Sequence, residues 1–340
     1  MERKLVTIRT ISDIRPIAKA DFIELAVVDG WQVVVKKNEF NAGDKIVYFE
    51  IDSFLPVREE FEFLRKSSYK KIQETGEEGF RLRTVKLKGQ ISQGLVLPIN
   101  TFPELTDDII KNTEYLSEIL KVKKYEPPLP VCIAGIAKGL FPSFIPKTDV
   151  ERIQNLISEY PEKYKRTLFE ISIKLDGTSM TVYKKDEQIG VCSKNLELKE
   201  NNDNSLWIIA KKGPIQSLQM ENKNYALQGE LIGPGIQKNN DKLKELAFYI
   251  FEIFDIDKQI YLPSHERKRF TYKYKLNHVP ILEFMNFFND FSTIDEMLKL
   301  SEGYSLCKDS IREGIVCKSI DDGYIKFKVI NNKYLLKNDV

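Results

Sequence analysis

Between Lys4 and about Pro98, apolar residues come in short alternating runs: LVTIRTI, FIELAVVDGWQVVVKK, GDKIVYFEI and FRLRTVKLKGQISQGLVLPI. A period of two marks strands with one buried face, and the Asp-Gly, Asn-Ala-Gly and Lys-Gly pairs between the runs supply turn residues. Several short strands in such a span predict a small closed β-barrel of the OB kind, although an SH3-like barrel would give much the same pattern. The charged stretch FEFLRKSSYKKIQETGEEGFR interrupts the strands and reads as a helix or a mobile loop. Residues 101–124 read as helical, with an Asp-rich start and a Lys-rich end that both suit the helix dipole.

The pattern then changes. EPPLP at 126–130 is stiff and extended, and it is the expected linker between a first domain at 1–125 and a second at 126–340. TDVERIQNLISEY reads as a helix. Strand patterns follow at 168–174, 180–184, 225–232, 246–255, 313–318 and 324–330, separated by longer connections. The expected class is α+β, an OB-like barrel followed by a domain of antiparallel sheets.

Composition narrows the chemistry. Cys132, Cys192, Cys307 and Cys317 form no CxxC pair, so neither a zinc site nor a disulfide framework is expected, and a reducing cytoplasm or nucleus fits. His265 and His278 are the only histidines, too few for a His-based triad or metal site. An enzyme built on this chain must work with lysines and carboxylates. The start MERKLVTIRT lacks a signal-peptide core, and the longest apolar run, LAFYIFEIF, is too short to span a bilayer. The net charge of +2 neither favours nor excludes a nucleic-acid partner, because basic residues can gather on one face and be balanced elsewhere.

The sharpest local signal is FEISIKLDGTSM at 169–180. Alternation puts Phe169, Ile171 and Ile173 on one strand face and Glu170, Ser172 and Lys174 on the other, just before Asp176 and Gly177 turn the chain. Taken alone, such a lysine is an ordinary strand end. Its companions change that reading. In YALQGELIGPGIQKN, Gln228 and Glu230 share a strand face; FYIFEIFDI carries Phe251; REGIVCKS brings Glu313 and Lys318. In GYIKFKVIN, Lys326 and Lys328 project from one strand face, where two ammonium groups repel unless an anion lies between them. Phosphate is the obvious anion.

These motifs, in this order, resemble those of the covalent nucleotidyltransferase superfamily of ATP-dependent ligases and capping enzymes. KLDGTS looks like its motif I, LQGELIG motif III, FYIFEI motif IIIa, EGIVCK motif IV and IKFK motif V. GELIGPGIQ and SKNLELKE are closest to RNA ligases, and a leading OB-like barrel resembles RNA ligase family 5. The resemblance implies that Lys174 attacks the α-phosphate of ATP to form lysyl-AMP, with Lys326 and Lys328 stabilising charge on that phosphate. Like-charge repulsion from these two lysines, with a bound divalent cation, is expected to favour the neutral amine of Lys174. Asp176, Glu230 and Glu313 are the expected oxygen donors for Mg²⁺ or Mn²⁺, held through its water shell. Phe251 is expected to stack on adenine, Arg152 to pair with the pyrophosphate, and Gly177, Lys194 and Asn195 to complete the nucleotide site. Two positions depart from the family pattern: Lys194 stands where arginine is frequent, and Ile173 where glutamate often precedes the lysine.

The implied activity is that of an ATP-dependent RNA ligase sealing 3′-OH to 5′-phosphate ends, on nicked duplex RNA, with no membrane and no obligate protein partner. A DNA ligase or capping guanylyltransferase shares the lysine chemistry but places its OB domain after motif V, where this sequence has only NNKYLLKNDV. A non-catalytic RNA-binding reading would rest on Arg81, Arg83, Lys86 and Lys88 of the barrel, which equally suit a solvated strand face.

Overall fold

The computed structural model describes residues 4–72, 75–111, 115–126 and 135–338. Of the expected linker, 127–130 lie outside these residues. Contacts divide the chain into two compact units: the residues up to Glu126 together with Asn332–Asn338, and Gly135–Asn331. The expected second domain ran to residue 340; helix Asn332–Asn338 instead packs in the first unit on strand Gln90–Gln93, burying Tyr334 and Leu335.

In the first unit, Val6–Thr10, Lys45–Phe49 and Leu95–Pro98 form one antiparallel sheet and Asp13–Pro16, Ile23–Val28 and Trp31–Lys36 another. Asp29 and Gly30, both at positive φ, close the hairpin between Ile23–Val28 and Trp31–Lys36, as the Asp-Gly signal requires. Trp31 and Tyr48 are fully buried in one core cluster, and Phe49, on the opposite face of the same strand as Tyr48, is buried against Phe61 and Phe102. The charged insertion divides: Glu59–Leu64 and Arg65–Ser68 are helical, whereas Tyr69–Lys71 and Glu78–Arg81 are strands. The two strands pair antiparallel, and Arg65 lies over the rings of Tyr69 and Phe80 in cation–π contacts. Residues 101–124 include two short helices, Asp107–Lys111 and Leu116–Ile119, and the two-residue strand Lys123–Lys124, which pairs with Ser53–Phe54.

In the second unit one sheet carries, in order, Ala137–Leu140, Leu196–Leu198, Gln188–Cys192, Thr178–Lys185, Tyr225–Ile232, Ala247–Asp255 and Ile260–Tyr261. The other carries Glu151–Arg152, Lys326–Ile330, Gly314–Ser319, Phe169–Lys174 and Ile281–Met285. All neighbours in these two series are antiparallel except Glu151–Arg152, which runs parallel to Lys326–Ile330. The expected helix over TDVERIQNLISEY is therefore a correction. It is a two-residue strand, a 3₁₀ turn at Ile153–Asn155 and a helix only at Tyr160–Lys163. Ile153 and Leu156 are buried under the strands, so tertiary packing overrides helical periodicity.

Between Lys326 and Lys328, Phe327 points to the opposite side and is fully buried, 5.4 Å from the Phe169 ring and 5.0 Å from Phe287. This aromatic cluster fixes the Lys174 strand and the Lys326–Ile330 strand to one core, while their other faces turn toward the first sheet.

Candidate active site

Lys174 ends its strand, and its Nζ lies 2.5 Å from Oε2 of Glu313, on the residue just before strand Gly314–Ser319. The register that pairs Lys174 with Gly314 makes this meeting possible. A side chain at Gly314 would collide with the Val329 carbonyl, and one at Gly177 with the Leu231 carbonyl, so both glycines permit close strand approach beside the lysine. A cavity of about 280 Å³ opens here, lined among others by Lys174, Gly177, Glu230, Phe251, Lys326 and Lys328. Lys194 also lines it and pairs with Asp149 at 2.8 Å.

Other expected residues lie nearby without lining that cavity. Asp176 accepts a 2.7 Å hydrogen bond from Asn240 Nδ2. Arg152 sits opposite Lys328 in the parallel strand pair. The Asn195 side chain turns to Lys147, whose Nζ donates to its Oδ1 at 3.3 Å, and is exposed.

Without a bound cation Lys174 stays charged: burial favours its neutral form, but Glu313, Glu230 and Asp176 outweigh burial and raise the pKa. Lys328 takes the depression instead: burial, with Arg152 and Lys174, lowers its pKa to about 7. Glu230 is pushed up to about 7 by burial against the pull of Lys174, with the charges of Glu313 and Asp176 adding to the rise.

A family model described as RNA ligase matches residues 167–334, and one described as an OB-fold domain matches residues 5–99. An RNA ligase of Naegleria gruberi, solved without ligand as an alanine variant, is 46% identical, with 99% of this chain and 98% of that chain covered and a TM-score of 0.84. The chain belongs to the RNA ligase family. Two further alanine variants of the Naegleria gruberi enzyme, one solved with ATP and Mn and one with AMP and Mn, are each 45% identical over 99% of both chains, with a TM-score of 0.83. No curated protein matches the chain at a significant level.

In this RNA ligase the donor set fits a hydrated cation rather than a directly chelated one. Among the described residues no group of three or more carboxylate, histidine or cysteine side chains is arranged to hold a metal directly. Yet the three carboxylates around the Lys174 ammonium, with Glu230 already pushed up, form a site short of positive charge, as a divalent ion in its water shell would supply.

Sequence reasoning passed over Glu252 and named Lys318 without giving it a role; both line the cavity and are buried. A glutamate within the aromatic run FYIFEIF was the available signal, since a buried charge must be paired. It also left Gln228 without a role. That residue is fully buried and lines the cavity; its Nε2 donates to the Pro146 carbonyl at 2.8 Å, while Oε1 has no hydrogen-bond partner.

Proposed function

We infer that the chain is an ATP-dependent RNA ligase that joins a 3′-OH to a 5′-phosphate, with the nucleotide in the cavity beside Lys174. The observation that carries this reading is a lysine at a cavity wall, paired to one carboxylate and faced by two further lysines on a single strand. Neutral Lys174 attacks the α-phosphorus of ATP; an N–P bond forms, the bond to pyrophosphate breaks and Nζ loses its proton. Glu313, 2.5 Å away, holds Nζ in place and is the nearest base for that proton. Lys326 and Lys328 stabilise charge on the α-phosphate, and Phe251 offers its ring to adenine. Asp176, Glu230 and Glu313 would hold a divalent ion through its water shell, and its charge would favour the neutral Lys174 amine. AMP then passes to the RNA 5′-phosphate, and the 3′-OH displaces it to complete the phosphodiester.

Nicked duplex RNA is the proposed substrate, acted on without an obligate protein partner. Three free cysteines among the described residues suit the reducing cytoplasm or nucleus, and none of the described helices is long and apolar enough to cross a membrane. The deciding experiment incubates the protein with ATP labelled at the α-phosphate and a divalent metal, then resolves it on a denaturing gel, with labelled GTP in parallel. Label from ATP supports the reading. Label from GTP alone would move the assignment to a capping enzyme.

A further inference from the structure

Beside the nucleotide cavity, five charged side chains converge largely out of contact with water. Glu170 comes from the Lys174 strand, Glu252 from the Phe251 strand, Lys318 from strand Gly314–Ser319, Lys326 from the next strand and Arg267 from helix Ser264–Lys273. Arg267 Nη2 donates to Glu170 Oε1 at 2.6 Å, and its Nη1 lies 3.7 Å from Glu252 Oε2. Lys318 Nζ is 3.4 Å from Glu252 Oε1 and 3.7 Å from Glu170 Oε1, while Lys326 Nζ is 3.5 Å from Glu252 Oε1. Glu170 and Glu252 are 2% exposed, Arg267 and Lys318 4%.

His278 adjoins the group without adding charge. Its Nδ1 bonds the Val279 carbonyl, which must accept, so Nε2 is left to accept from Arg267 Nε at 3.4 Å. Burial also keeps its pKa down at about 4.

The charges do not cancel. Two carboxylates face three cations in these contacts, leaving one positive charge over. Without Arg267, Lys318 and Lys326 would be needed in full to neutralise Glu170 and Glu252. Each carboxylate also has one oxygen, Oε2, with no hydrogen-bond partner, so both draw strongly on any nearby cation. Lys326 borders the nucleotide cavity, whereas Arg267 does not.

We propose that Arg267, held by Glu170, is a positioning residue that takes up much of the buried carboxylate charge, so that the Lys326 ammonium, although it bonds Glu252 at 3.5 Å and lies 3.8 Å from the centre of the Tyr261 ring, keeps a net positive field toward the phosphate of the nucleotide. A cation tied to a carboxylate offers little to a second anion, whereas one in a cluster of net positive charge offers most of its field. The sequence gives Arg267 no motif of its own, because its effect passes through Glu252 from a helix outside the strands that carry the motifs. This inference rests on the cavity being the nucleotide site, which label transfer by the unaltered protein tests by itself.

The test compares R267Q, R267K and the double variant E170Q/R267Q with the unaltered chain for lysyl-AMP formation over a range of ATP concentrations, with melting curves for each. R267Q makes the cluster neutral and is expected to raise KM for ATP and slow label transfer, together by about 10 to 100-fold. E170Q/R267Q removes one charge of each sign and restores the excess, so it is expected to recover about 5-fold or more of that loss. R267K keeps the charge and should lie closer to the unaltered protein than R267Q does. A purely structural arginine predicts the reverse: the double variant, with both partners lost, would be no better than R267Q. That result in folded protein, or R267Q at full activity, overturns the proposal. If R267Q does not fold, the double variant and R267K decide, and inactivity of both in folded form overturns it equally.

Discussion

The Nζ of Lys174 lies 2.5 Å from Oε2 of Glu313, so the proposed nucleophile is held as an ammonium in an ion pair before any nucleotide arrives. Glu313 therefore both orients the lysine and opposes its deprotonation, and this tension shapes how the site should respond to substitution, pH and metal.

Lys174→Ala and Lys174→Arg should both abolish covalent AMP transfer, because alanine has no nucleophile and guanidinium is effectively never deprotonated. The side chain is one-quarter exposed at a strand end, so circular dichroism should show a retained fold. Covalent label in either variant would remove Lys174 from the role.

Since the folded protein raises the Lys174 pKa, the neutral amine becomes available only as pH rises through a value above its ordinary 10.5 when metal is absent. A divalent ion that competes for Glu313 should shift the rate profile for label transfer toward lower pH. Rates measured across pH at two Mn²⁺ concentrations check this; identical profiles would mean the ion acts elsewhere.

Glu230 gives a stability test of opposite character to a salt bridge. Its folded-state pKa of about 7 exceeds its ordinary value of 4.5, so the stability linked to its protonated form is complete below pH 4.5 and is lost as pH rises through 7. Melting temperatures of metal-free protein should fall over that window, and Glu230→Gln should flatten the fall. Glu230→Ala and Glu313→Ala should also lose adenylylation by about 10 to 100-fold. Glu221→Ala, at a pair with Lys273 away from the cavity, should not, and equal losses in all three would indicate general destabilisation.

Gln228 bears on the choice of base. The Pro146 carbonyl fixes its amide so that Oε1 is left as an unpartnered acceptor, which suits the amino group of adenine and opposes the carbonyl of guanine. Gln228→Leu should lower the preference for ATP over GTP by ~10-fold, the scale of one hydrogen bond. An unchanged ratio in competition labelling would leave selection to other groups.

Removing the barrel tests its contribution to the first step. Helix Asn332–Asn338 packs in the first unit, with Lys86 Nζ donating to the Leu336 carbonyl at 3.4 Å, so a chain starting at Glu126 should end at Asn331 to avoid exposing Tyr334 and Leu335. That chain should be badly impaired in forming lysyl-AMP, because misplacing a reacting group by about 1 Å costs on the order of 100-fold. It should retain more activity on a nick that already carries AMP. Adenylylation at the full rate would reduce the first unit to an RNA-binding accessory.

Alternation and spacing along the chain were enough to place the strongly periodic strands and the residues that share one of their faces. Strand Phe169–Lys174 and the Lys326–Lys328 pair follow from period two alone, and the order of the motifs announced the family. Alternation could not say what lies across a face. The polar side of the Lys174 strand is not solvated; it is closed by a second sheet, and only that closure brings Glu170 to Arg267, 97 residues away. Arg152 looked helical because Ile153 and Leu156 are spaced for a helix, yet pairing with strand Lys326–Ile330 decided its conformation. The protonation of Lys174 was likewise beyond the sequence. It depends on which charges stand nearest, and without a bound cation those that act on Lys174 are the carboxylates of Glu313, Glu230 and Asp176.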